Sequence, residues 1–189
     1  EMMRADWTTY ILAPNFLRTA PLLTFPIGRV PGYVSPPGIS LAMADANPLL
    51  TPVYRLANAL SPDRPVQLLG WLLLAAYVLT FAAAARFIEA AGRRWAGSPL
   101  ELRDRVAARG LAAALLVMPF FSLRYIHVSL TNHWVIIAAL GVACFRRELT
   151  RRNALLHAGV VLLAVCIQPY FLPMVLGIVT PFVISAVRR

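Results

Sequence analysis

Twelve of the eighteen arginines bracket long apolar runs, and this arrangement constrains the fold more than any other feature of the chain. The clusters are Arg86/Arg93/Arg94/Arg103/Arg105/Arg109, then Arg146/Arg147/Arg151/Arg152, then Arg188/Arg189. Between them, stretches such as 66–85 and 111–123 carry no charge at all. Short arginine-rich loops stay on the cytoplasmic side of a bilayer, so clusters beside apolar runs imply both membrane crossings and their orientation. The chain reads as an integral membrane protein.

Composition agrees. With 59% hydrophobic and 14% charged residues, the chain falls well short of the roughly one quarter charged residues of a soluble domain. The net charge of +10 would suit nucleic acid, but the arginines interrupt apolar spans and do not line a polar face, so that partner is set aside. Cys144 and Cys166 fall near opposite membrane faces in this reading, too far apart to pair, and are expected as free thiols. Glu1 opens the chain without a signal peptide, and a basic pair closes it directly after an apolar run. Both ends read as cut from a longer polypeptide.

Residues 1–65 hold ten of the fifteen prolines and no uninterrupted apolar stretch of the roughly 20 residues that a crossing helix needs. Asp6–Ala13 suits a short interfacial helix, and the segments 25–33 and 35–38 suit ordered turns. From Pro48 the apolar positions 49, 50, 53, 56, 57 and 60 repeat at helical spacing, with Asn47 or Asp45 as the cap. That helix is amphipathic and is expected to lie on the membrane or against other helices.

The remainder predicts an all-α polytopic membrane protein with about five crossings, near 66–90, 110–125, 127–145, 154–168 and 172–187. The basic loop from Arg93 to Arg109 and the segment 146–153 are assigned to the cytoplasm, which leaves 1–65 extracytoplasmic. Gln168-Pro169-Tyr170-Phe171-Leu172-Pro173 splits the last apolar stretch into two short helices; one long kinked helix is the competing reading.

In this topology Asp6, Arg29, Asp45, His127, His133, Gln168 and Tyr170 converge on the extracytoplasmic end. Polar side chains at membrane depth are costly, and function is a common reason for keeping them. Each also has a plainer role. Asp6 and Asp45 suit helix capping, and either histidine suits a packed or interfacial position. His127 and His133, six residues apart, share a site only if a helix begins between them. His157 falls near the cytoplasmic edge and is not part of this group. No cluster has metal-ligand spacing.

The order of these elements resembles a bacterial multi-pass family related to the GT-C membrane glycosyltransferases. The likeness is carried by an early outer-loop Asp, "FPIGRVPG", "PPGIS", "ADANPLL", "HVSLTNHW" and "QPYF". It implies a GT-C-like fold in the bacterial inner membrane, with the lipid bilayer and a polyprenyl-phosphate-linked sugar donor as partners. It implies Asp6 as the catalytic base, taking the proton from the acceptor hydroxyl as that oxygen attacks the anomeric carbon. Asp45 matches a second acidic position, and His127, His133 and Trp134 match an "H…HW" segment. Arg29, His127 and His133 would then face the departing lipid phosphate. Where the family more often has His-Pro-Tyr, this chain has Gln168-Pro169-Tyr170, so that position offers a hydrogen-bonding amide and no imidazole. No cofactor is indicated. A transporter or flippase component for a polysaccharide or its lipid carrier, and a non-catalytic membrane scaffold, are the competing functions.

Overall fold

The structure, a computed structural model, describes residues 29–30, 39–40, 48–62, 68–118, 131–146, 148 and 150–188. Two short strands, β1 (Arg29–Val30) and β2 (Ile39–Ser40), pair antiparallel with Arg29 opposite Ser40. A 3-10 turn, Pro48–Leu50, leads into α1 (Thr51–Leu60). Five further helices follow: α2 (Leu69–Ala96), α3 (Leu102–Val117), α4 (Trp134–Phe145), α5 (Arg151–Ile167) and α6 (Phe171–Val187).

Local chemistry sets most of these boundaries. Gly97 takes φ 66°, a left-handed conformation that costs glycine nothing, and its N–H closes α2 on the Arg93 carbonyl. Glu101 and Asp104 form a reciprocal capping box that starts α3. The Thr150 hydroxyl accepts from the Asn153 N–H at 3.2 Å to start α5, while the Asn153 amide donates to the Glu148 carbonyl at 2.8 Å. Proline at 169 pushes Gln168 out of the helical region to φ −159°, ψ 119°, and so ends α5. The first turn of α1 differs from expectation. Pro48 opens the 3-10 turn, and Leu50 precedes α1 with no side-chain cap.

The helices meet along small residues. Ala84, Ala85 and Ala112 form one buried seam between α2 and α3, with Phe81, Ile88, Leu115 and Ile137 packed around it. Arg109 reaches Glu89 at 3.4 Å on the same hairpin, so α3 runs antiparallel to α2 over the latter's second half. Helix α4 runs alongside α2: Ile137 joins the alanine seam, the Phe87 and Phe145 ring centroids lie 5.6 Å apart, and Arg94 donates to the Cys144 carbonyl at 3.2 Å. The second core joins Val135 and Ala139 of α4, Val160, Ala164 and Ile167 of α5, and Phe171, Val175 and Val179 of α6. The buried stripe of α5 is Asn153, His157, Val160, Ala164 and Ile167. Helices α5 and α6 are thus separate antiparallel helices packed on each other. The short 3-10 turn also packs on α5.

The distribution of size is inverted relative to a soluble core. Several alanines and valines, Thr80, Asn153 and Gln168 are buried beside Tyr54, Ile167 and Phe171, whereas Trp71, Leu74, Val78, Leu79, Leu111, Leu155 and Leu162 are exposed. Only 22% of the most apolar window of α2 is covered by the rest of the chain.

The expectation of about five crossings is not met. Among the described residues one helix, Gly70–Ala96, is long and apolar enough to cross a membrane. The other apolar runs fail for physical reasons. Helix α3 spends its first half on Arg103, Asp104, Arg105 and Arg109 and ends at Val117, eight residues short of the expected end at 125. Helix α4 begins at Trp134, not near 127, and its 12 residues span about 18 Å against a hydrocarbon core of about 30 Å. The 17 residues each of α5 and α6 span about 26 Å, and α5 opens on Arg151 and Arg152. The expected basic loop 93–109 is also mostly helical: α2 extends to Ala96 and α3 begins at Leu102.

Two outcomes test this packing. Ala139 is fully buried between α4 and its neighbours. Ala139→Leu therefore lowers stability by about 1–3 kcal/mol through overpacking, read as a lower denaturation midpoint of the purified protein. Burial pushes the Tyr54 phenol up to about 12 from 10.0. Its contribution to stability is complete below pH 10.0 and is lost as the pH rises through about 12. In an ultraviolet absorbance titration, Tyr54→Phe removes the ionisation step near pH 12.

Candidate functional site

Alternating helix directions give the bundle two unlike ends. The C-terminus of α2, the N-terminus of α3, the C-terminus of α4, the N-terminus of α5 and the C-terminus of α6 share one end, where the arginines gather. The opposite end holds the start of α4 and the turn between α5 and α6. The two sequence motifs around His133 and Gln168, 35 positions apart, meet there.

Phe171 joins them. Its side chain is only 2% exposed, its ring centroid lies 6.3 Å from that of His133, and its backbone N–H donates to the Gln168 carbonyl at 2.9 Å. Extended backbone at Gln168 turns its carbonyl toward the start of α6, so the residue that ends one helix also satisfies the first donor of the next. Gln168 is among the largest fully buried side chains, and Thr131 and His133 are buried with it at this end. His133 sits just before α4, and its carbonyl accepts from the N–H groups of Ile136 and Ile137 at 3.0 and 3.1 Å. The Trp134 indole donates to the Asn132 side chain at 3.0 Å within this segment, and Trp134 packs against the core of α4, α5 and α6. Tyr170 is different: it is 67% exposed at the rim of the turn.

An imidazole, an amide and a hydroxyl held in an apolar bundle provide donors and acceptors where water competes poorly. Such a set can orient a hydroxyl or phosphate, and the imidazole can carry a proton. Among the described residues no group of three or more histidine, cysteine or acidic side chains is placed to hold a metal ion.

Of the residues expected at the site, His133 and Gln168 are brought together, and Tyr170 flanks them on the exposed side. Arg29 belongs to β1, and nothing is described of its side chain. Asp6, Asp45 and His127 lie outside the described residues. Thr131 and Asn132, which the sequence reading gave no part in the site, complete the cluster. His157, set aside earlier, is buried in the α5 stripe, and its Nδ1 has no hydrogen-bond partner among the described residues. Nothing in the sequence signals that burial beyond the spacing of the stripe itself. Cys144 and Cys166 are free thiols, in α4 and α5 respectively.

A family model described as a domain of unknown function (DUF6311) matches residues 1–189, the whole chain. The chain belongs to this family. No curated protein and no solved structure matches it. Membership in DUF6311 carries no activity with it, so a functional reading rests on the residues and their placement.

Neighbouring aromatic residues at this end should respond in opposite ways. Phe171→Ala removes the buried ring that packs on His133 and lowers stability by about 3–5 kcal/mol, while Tyr170→Ala at the exposed rim stays within about 1 kcal/mol. Denaturant titration of the two variants beside the wild type makes the comparison.

Proposed function

We propose that the protein is a membrane-bound glycosyltransferase that takes its sugar from a polyprenyl-phosphate carrier at the extracytoplasmic face of a bacterial inner membrane. The observation that carries this reading is the burial of His133 and Gln168 around Phe171, at the end of the bundle away from the arginines. Buried polar groups in so apolar a helical body are costly, and ligand recognition is a reason to keep them. The exposed leucines and tryptophan of α2 support a bilayer around that helix, with the arginine end on the cytoplasmic side.

The chemistry needs two things of this end. An acceptor hydroxyl must lose its proton as it attacks the anomeric carbon, and the departing phosphate gains negative charge that donors must meet. In this proposal Asp6 takes the proton, a role that rests on the resemblance to GT-C enzymes. His133, Gln168 and Tyr170 bind the lipid-linked donor, and Arg29, Asp45 and His127 complete the pocket from the outer segment. Residues 1–65 then lie outside the cytoplasm.

Reconstituted protein, given a polyprenyl-phosphate sugar labelled in the sugar, transfers label to acceptor. Asp6→Asn lowers the rate by at least about 100-fold with binding of the donor retained. Gln168→Ala weakens donor binding by about tenfold. A fully active Asp6→Asn variant removes that residue from the mechanism, and wild-type donor binding in Gln168→Ala removes the cluster from the site.

A further inference from the structure

The arginine end carries a feature that the transfer chemistry does not use. At the tip of the α2–α3 hairpin Trp95 is 94% exposed, Leu102 is 78% exposed and Val106 is 60% exposed. Leu102 and Val106 stand four residues apart on α3 and so share one face. The turn between the helices is short, and Leu100 folds back over Gly92, close enough that a methyl added there would meet it at 3.4 Å. The apolar side chains around this turn are thus split: Leu100 closes the hairpin from inside, while the other three project outward.

Charge surrounds them. Residues 93–109 contain five arginines against Glu101 and Asp104. Both acids are taken up by Arg103, at 3.2 and 3.7 Å. Glu89 serves Arg93 at 3.9 Å and Arg109 at 3.4 Å, and Arg94 donates to the Cys144 carbonyl. Arg105 is exposed and has no ion pair among the described residues. The surface therefore presents a tryptophan and two aliphatic side chains within a field of net positive charge.

We infer that the α2–α3 hairpin tip, through Trp95, Leu102 and Val106 together with Arg105 and its neighbours, docks on the headgroup layer of an anionic phospholipid leaflet. An indole has an apolar body and one polar N–H, and it settles at the level where headgroups meet acyl chains. Arginines around it meet lipid phosphates, and each basic side chain near an anionic surface contributes attraction. A nucleic acid would accept the positive field, but it offers no apolar layer to cover Leu102 and Val106. The same placement explains why α3 fails as a crossing: its first half belongs to the boundary between water and lipid. The inference rests on the bilayer reading of the preceding section, and it adds a lipid selectivity which that reading does not require.

The test uses the full chain with Trp95 as its single tryptophan, the other three replaced by phenylalanine, in vesicles of zwitterionic phosphatidylcholine mixed with anionic phosphatidylglycerol. Brominated acyl chains on one lipid or the other quench the indole on contact. Trp95 is expected to be quenched, with the anionic lipid favoured by about fivefold for each arginine that faces it. Arg105→Gln reduces that preference by about fivefold, and Arg103→Gln with Arg105→Gln brings it close to parity, while the helical circular dichroism is unchanged. Vesicle flotation separates the two levels of the argument. Protein that fails to float with either lipid overturns the bilayer reading and this inference with it. Protein that floats while Trp95 stays unquenched, or is quenched equally by both lipids, overturns this inference alone. Binding of a single-stranded oligonucleotide by the hairpin, lost in Arg105→Gln, without lipid preference also overturns it.

Discussion

Close approach of helices along alanine is the constraint on which the rest of this structure depends. Ala84 and Ala85 meet Ala112 on one side of the bundle, and Ala139 and Ala164 lie within the valine-lined core on the other. A methyl at these positions lets backbones come near enough for dispersion contacts along the whole interface. Because the seams are narrow, many of the large apolar side chains stand on the surface, and Ile167 and Phe171 are the large ones taken into the core between α4, α5 and α6. The same narrowness fixes the hairpin register, which sets Arg109 against Glu89 and Arg94 against the end of α4.

That packing also assembles the polar end. His133 and Gln168 are distant in sequence, and each closes or opens a helix whose direction is set by the seams. Once α4 and α6 pack through Val135, Ala139 and Val175, the residue before α4 and the turn before α6 have to meet around Phe171. The site proposed for the lipid-linked donor is therefore a by-product of helix register, and no long loop is needed to bring its two halves together.

Some of this was legible in the sequence. The uncharged run before Arg86 marked α2, whose start at Leu69 falls three residues after the expected one, because no charged residue interrupts that stretch. Gln168-Pro169 marked the break between α5 and α6, since proline disfavours helical backbone at the residue before it and Gln168 is extended here. The pairing of His133 with Gln168 was readable as a shared end, though the contact through Phe171 was not. The number of crossings was misread. Hydropathy records how apolar a stretch is, and it does not record that a capping box draws α3 down into its arginines or that α4 begins only after Trp134 has turned to Asn132. The start of α1 was misplaced for a related reason: proline is as well suited to open a 3-10 turn as the first turn of an α-helix, and Pro48 takes the former role.

The stripe that α5 buries has its own geometric result. Its members fall at intervals of four, three, four and three residues from Asn153 to Ile167. A straight α-helix repeats every 3.6 residues, so a seam of period 3.5 slips by about 20° in each heptad unless the helix axis itself bends around its neighbour. A gentle left-handed winding, as in the strands of a rope, with the shallow crossing of about 20° that goes with it, is the geometry that keeps a seam of this period closed over two such repeats.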